Sequence, residues 1–102
     1  MRNTTVQWLR SGVVQRAAPL AVQIQNMAWK VAADLGGQSP YDSFWIFTTG
    51  GGIIAVQRGD LLIDLQQIDV LTQQNTKYRI FGNVEQYFST YARIPAEKLL
   101  GT

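Results

Sequence analysis

Short runs of β-branched and aromatic residues, broken by turn residues, organise most of this chain. Thr4-Thr5-Val6-Gln7-Trp8-Leu9 is the first run, Arg10-Ser11-Gly12 a turn, and Val13-Val14-Gln15-Arg16 the return. The opening is therefore read as a hairpin in which Gly12 supplies a positive φ. Phe44-Trp45-Ile46-Phe47-Thr48 is a second compact run, ended by Thr49 and Gly50-Gly51-Gly52. Ile53-Ile54-Ala55-Val56-Gln57 follows and is expected to pair with it across the glycines. Arg58-Gly59-Asp60 makes the next turn before Leu61-Leu62-Ile63-Asp64-Leu65, completing a predicted three-stranded meander.

Residues 66–77 then turn polar. Gln66, Gln67, Asp69, Gln73, Gln74, Asn75 and Lys77 dominate, and only Ile68, Val70 and Leu71 are apolar, too few to pack a separate element. The span reads as a long loop or a projecting hairpin arm. Loops of about twelve residues inside compact domains are usually functional or mobile. Tyr78-Arg79-Ile80-Phe81 resumes the sheet, Gly82-Asn83 signals a turn, and residues 86–94 form a longer strand. On that strand Tyr87, Ser89, Tyr91 and Arg93 share one face, and Phe88, Thr90, Ala92 and Ile94 the other. Pro95-Ala96-Glu97-Lys98-Leu99-Leu100 fits a closing helical turn.

One stretch obeys two patterns. Across residues 19–35, Leu20, Ile24, Met27, Ala28, Val31 and Leu35 recur at helical steps, with Pro19 suited to the first turn and Gly36-Gly37 to the stop. Val22 and Ile24 also alternate with Gln23 and Gln25, as a strand would. Helix is the preferred reading and extended chain the alternative. About five to seven short strands in a chain of 102 residues make one mainly-β domain spanning 1–102. The expected architecture is a small closed barrel, SH3-like or similar, or a sandwich, with long loops and one possible N-terminal helix. Closure also removes the exposed edges that so many apolar strands create.

Composition narrows the function. Charged residues make up 16% of the chain, against about 25% in a typical soluble domain. Eleven Gln and four Asn fill the gap. Such a surface repels its neighbours weakly, which suits an assembled protein. The net charge of +2 is scattered rather than clustered, so the electrostatic footprint of a nucleic-acid binder is weak. With no Cys and no His, disulfides, thiol nucleophiles and the commonest general base and metal ligand are excluded. No catalytic residue, cofactor or metal is expected. Neither a signal-peptide core nor an apolar run of about 18 residues is present, so the expectation is no membrane and a cytoplasmic site of assembly.

Each eye-catching motif has a plainer reading. Asp60 and Asp64 are a possible carboxylate pair; the plain reading is a turn aspartate and an outward strand residue. Arg58-Gly59-Asp60 spells an adhesion tripeptide yet reads as a β-turn in which Gly59 and Asp60 are the turn residues. The triple glycine lacks a following Lys-Ser/Thr and a helix, so it is no phosphate loop. Tyr78, Phe81, Tyr87, Phe88 and Tyr91, interleaved with Arg79 and Arg93, resemble a single-stranded nucleic-acid platform. The plainer reading is that half of them face the core and the other half cover a partner protein.

The string Val56-Gln57-Arg58-Gly59-Asp60-Leu61-Leu62-Ile63-Asp64, a polar excursion, and then Tyr78-Arg79-Ile80-Phe81-Gly82-Asn83 resembles the head-closure, or stopper, proteins of tailed bacteriophages. The resemblance covers residues 56 to about 94. It implies a non-catalytic small β-barrel that forms a homo-oligomeric ring in the virion neck, beneath the portal and its adaptor and above the tail. Residues 66–77 would then be the subunit-contact or channel loop, with non-specific contact to packaged DNA. The helical pattern at 19–35 departs from that family, many of whose members have extended structure or a long loop there. The alternative functions are a small-barrel module that binds single-stranded nucleic acid, or another neck or tail-completion protein.

Overall fold

A computed structural model describes residues 2–28, 30–31, 43–48, 56–68, 73–87 and 91–99. Among them are eight strands: β1 (Arg2–Arg10), β2 (Val13–Val14), β3 (Leu20–Asn26), β4 (Ser43–Thr48), β5 (Leu61–Ile68), β6 (Asn75–Ile80), β7 (Glu85–Tyr87) and β8 (Tyr91–Lys98). Six of them follow the order β1-β3-β4-β8-β6-β5, and β5 pairs back onto β1, closing an antiparallel barrel. The two short strands are additions, β2 on β1 and β7 on β8.

Alternation decides what lies inside. Thr4, Val6 and Trp8 of β1, Leu20, Val22 and Ile24 of β3, and Ile46 and Thr48 of β4 point inward and are buried. Leu62 and Asp64 of β5, Thr76, Tyr78 and Ile80 of β6, and Ala92, Ile94 and Ala96 of β8 complete the filling. Small barrels are filled by side chains in this way. The opening hairpin turns at Ser11 and Gly12, both at positive φ (52° and 79°), the pair of conformations a tight two-residue hairpin loop requires.

Four expectations need correction. The single strand expected over residues 86–94 is two, β7 and β8, which pair antiparallel with Tyr87 opposite Tyr91, so their residues do not alternate as one run. The segment expected to be helical is β3 over Leu20–Asn26, and among the described residues only Lys30 and Val31 have helical backbone. Leu20 and Ile24 fit both periods, so Val22 decides: it is buried between β1 and β4, whose ladders occupy both edges of β3. Residue 29 and residues 32–35 of that segment lie outside the described residues.

The predicted meander also fails. β4 gives one edge to β3 and the other to β8, so neither is left for residues 53–57, and β4 is not adjacent to β5. The triple glycine, with residues 49–55, lies outside the described residues. Finally, Pro95 does not start a helical turn but sits within β8 opposite Trp45. Proline is tolerated there because Phe81 N donates to its carbonyl at 3.2 Å, a contact that needs no N–H from Pro95.

Candidate functional site

The barrel is closed where β1 meets β5, and two aspartates mark the ends of that seam. Asp64 is wholly buried and faces inward, correcting the expectation of an outward strand residue. It accepts from Thr4 Oγ1 at 2.7 Å, Arg2 Nη2 at 2.5 Å and the Gln66 amide at 2.9 Å. Asp60, following the turn at Gly59 (φ 92°), accepts from Trp8 Nε1 at 2.9 Å, the Gln57 amide at 2.9 Å, and Arg10 Nε and Nη2 at 3.0 Å. Burial works to raise the Asp60 pKa, but hydrogen bonds from Arg10, Gln57 and Trp8 outweigh it and hold the carboxyl below its ordinary value. Each carboxylate is held by its own set of donors, three on Asp64 and four on Asp60. No cluster of three or more metal-ligating side chains occurs among the described residues.

The polar span 66–77 is not a free loop at either end. Gln66 and Gln67 belong to β5, while Asn75 and Lys77 belong to β6. Gln73 and Gln74 are exposed just before β6, and Asp69 lies outside the described residues. The ladder slips between Ile63↔Lys77 and Ile68↔Asn75, so that five steps on β5 face two on β6. Asp64 anchors this bulge, taking the Gln66 amide on its side chain and Asn75 Nδ2 on its carbonyl at 2.9 Å. Beyond the bulge β5 leaves the core. Leu65 is 41% exposed and Ile68 61%.

The aromatic and arginine group read from the sequence is split by the fold. Tyr78 is inside the barrel, whereas Tyr91 and Arg93 are on the outer face of β8. The face has two further members, Trp45 and Phe47, which alternate outward on the neighbouring strand β4. Phe47 stacks on Tyr91 with centroids 5.8 Å apart, and the Arg93 guanidinium lies 4.3 Å over the Trp45 ring. Arg93 also pairs with Glu85 at 2.7 Å, and Arg79 with Glu97. Arg79 and Arg93 thus each carry a carboxylate, which offsets the positive charge that phosphate binding needs.

At the end of the barrel from which the β5–β6 arm emerges lies a cavity of about 310 Å³. Arg2, Asn26, Phe44 and Lys98 line it, each in the inward phase of its strand at the barrel mouth, together with Ile24, Gln67 and Tyr78. Tyr78 meets Phe44 edge-on at 5.6 Å and accepts a 3.4 Å hydrogen bond from Arg2. Burial, reinforced by the charge of Asp64, pushes the Tyr78 phenol pKa up against the pull of Arg2. Sequence reasoning missed this mouth because its members come from six strands.

Comparison with protein families, with curated proteins and with solved structures produced no match. No helix among the described residues is long and apolar enough to cross a membrane.

Proposed function

We propose that this chain is a non-catalytic assembly protein, a ring-forming head-to-tail connector of the head-closure type in the neck of a tailed bacteriophage. The β5–β6 arm carries the reading. It leaves a barrel whose core is already filled, exposes Leu65 and Ile68, and carries the exposed amides Gln66, Gln67, Gln73 and Gln74. Between residues 66 and 77 the only charges are Asp69 and Lys77. An arm kept in solvent is usually richer in charge. Apolar and amide groups dock well on a neighbouring copy, and a ring multiplies a weak pairwise contact.

The bulge gives the arm a fixed root, since Asp64 ties it to the closing seam. Copies placed in a ring with this end inward would converge their arms on the lumen. The portal and its adaptor above, and tail proteins below, are the partners such a ring requires. The nucleic-acid reading ranks second because the arginines of the aromatic face are neutralised by Glu85 and Glu97.

The test is particle assembly with Leu65→Asp/Ile68→Asp, two exposed positions outside the core. The reading expects heads that fail to retain packaged DNA although the variant folds. Heads that close as well as those built with the unaltered chain would overturn it.

A further inference from the structure

The geometry points to the cavity at the barrel mouth as a binding site for one carboxylate carried on a small apolar body. This inference stands independently of the ring. The cavity volume, about 310 Å³, lies at the lower end of the range of ligand pockets. Its walls are mixed in the way such sites require, with the rings of Phe44 and Tyr78 on the apolar side and a few polar groups converging from other strands.

The charge balance selects the ligand. Arg2 is matched by Asp64 beneath it. Lys98 stands directly across from Tyr78 in the β6–β8 ladder, so its side chain follows Ile94 and Ala96 on the inward face. Among the described residues no carboxylate pairs with Lys98. One positive charge is thus left over, which fits a monoanion; a dianionic phosphate would bring excess negative charge close to Asp64.

A second observation points the same way. Tyr78 is 3% exposed and its oxygen accepts from Arg2, so the phenolic proton remains for another acceptor. No acceptor for it occurs among the described residues. Buried hydroxyls normally find a partner. A carboxylate in the mouth takes that proton on one oxygen and the Lys98 ammonium on the other, while the amides of Asn26 and Gln67 stand at the rim. Such a carboxylate belongs either to a free small acid or to an Asp or Glu side chain of another chain.

The experiment uses the full chain and hydrocinnamate, a phenyl ring tethered to a single carboxylate, followed by amide-resolved NMR. Hydrocinnamide is the neutral control. Saturable shifts are expected at Asn26, Phe44, Tyr78 and Lys98, with affinity about tenfold weaker for the amide and for Lys98→Gln. Tyr78→Phe keeps the ring and is expected to weaken binding severalfold. Absence of saturation, equal affinity for acid and amide, or Lys98→Gln binding as well as the parent would overturn the site. Sedimentation with saturating hydrocinnamate separates the sources: loss of self-association assigns the natural carboxylate to a second copy, and unchanged self-association to a small acid. A monomeric chain that binds hydrocinnamate would refute the ring while leaving this site intact.

Discussion

The Thr4 hydroxyl donates a 2.7 Å hydrogen bond to Asp64 Oδ1 across the seam that shuts the barrel. Four residues along each strand, the Trp8 indole makes the same kind of bond to Asp60 at 2.9 Å. Arg2 and Arg10 extend the arrangement toward the two ends of β1, each paired with the nearer aspartate. β1 is therefore stapled to β5 at two points, with Val6 and Leu62 packed between them in the core.

Breaking the staple at Asp64 is costly because that residue is fully buried. Asp64→Ala is expected to destabilise the barrel by about 3 kcal/mol, near the lower end for buried pairs since Arg2 is partly solvated. Thr4→Val, which leaves one carboxylate oxygen short of a donor, is expected to cost about 1–3 kcal/mol. Urea unfolding midpoints check both. A wild-type midpoint for Asp64→Ala would show that the staple contributes nothing.

The staple at Asp60 makes stability depend on pH in a defined direction. Asp60 is held below its ordinary carboxyl value of 3.8, so the unfolded chain takes up the proton first. Its contribution is therefore complete above about pH 3.8 and fades as the pH falls through the lower folded value. Trp8→Phe removes one donor and should raise the folded Asp60 value, moving acid unfolding to higher pH. Carboxyl NMR titration of Asp60 in both proteins reads the shift directly, and identical titrations would contradict it.

Gly59 adopts φ 92° and a Cβ built there meets nothing within 4 Å. Any penalty for a side chain is thus conformational rather than steric. Gly59→Ala is expected to cost about 1–2 kcal/mol, and Gly59→Ser nearly the same despite its larger side chain. A much greater loss for serine in thermal unfolding would reveal a contact that the geometry does not contain.

The outer aromatic face should not hold single-stranded DNA. Arg93 and Arg79 are paired with Glu85 and Glu97, so labelled oligonucleotide at low salt is expected to show no saturable shift. Glu85→Gln/Glu97→Gln removes the carboxylate partner of each guanidinium and is expected to introduce weak, salt-sensitive binding. Tight binding by the unaltered chain would reverse the ranking of the two functional readings.

Local pattern made some of this legible and topology hid the rest. The hairpin at Ser11-Gly12 and the alternation of Ala92 and Ile94 follow from turn chemistry and period two, which act between neighbours in sequence. The division of residues 86–94 between β7 and β8 is hidden, because Phe88-Ser89-Thr90 holds no glycine, proline or asparagine to signal a turn. β3 escapes local pattern because Leu20 and Ile24 satisfy helix and strand alike, and the strands β1 and β4 that settle the matter lie outside the segment. Pro95 looked like a helix start because nothing local reveals that Phe81 will bond only to its carbonyl. The hairpin-arm reading of residues 66–77 was available, but its anchoring by Asp64 was not, since an aspartate amid Ile63 and Leu65 looks like an outward strand residue. The mouth cavity needed the barrel order itself.

Self-association through the β5–β6 arm is most directly tested by sedimentation velocity of the purified chain beside Leu65→Asp/Ile68→Asp over a range of concentrations. The unaltered chain is expected to reach a closed oligomer of uniform size, and the variant to remain a folded monomer. Two monomers at every concentration, or two identical oligomers, would contradict the assignment of that arm as the contact between copies.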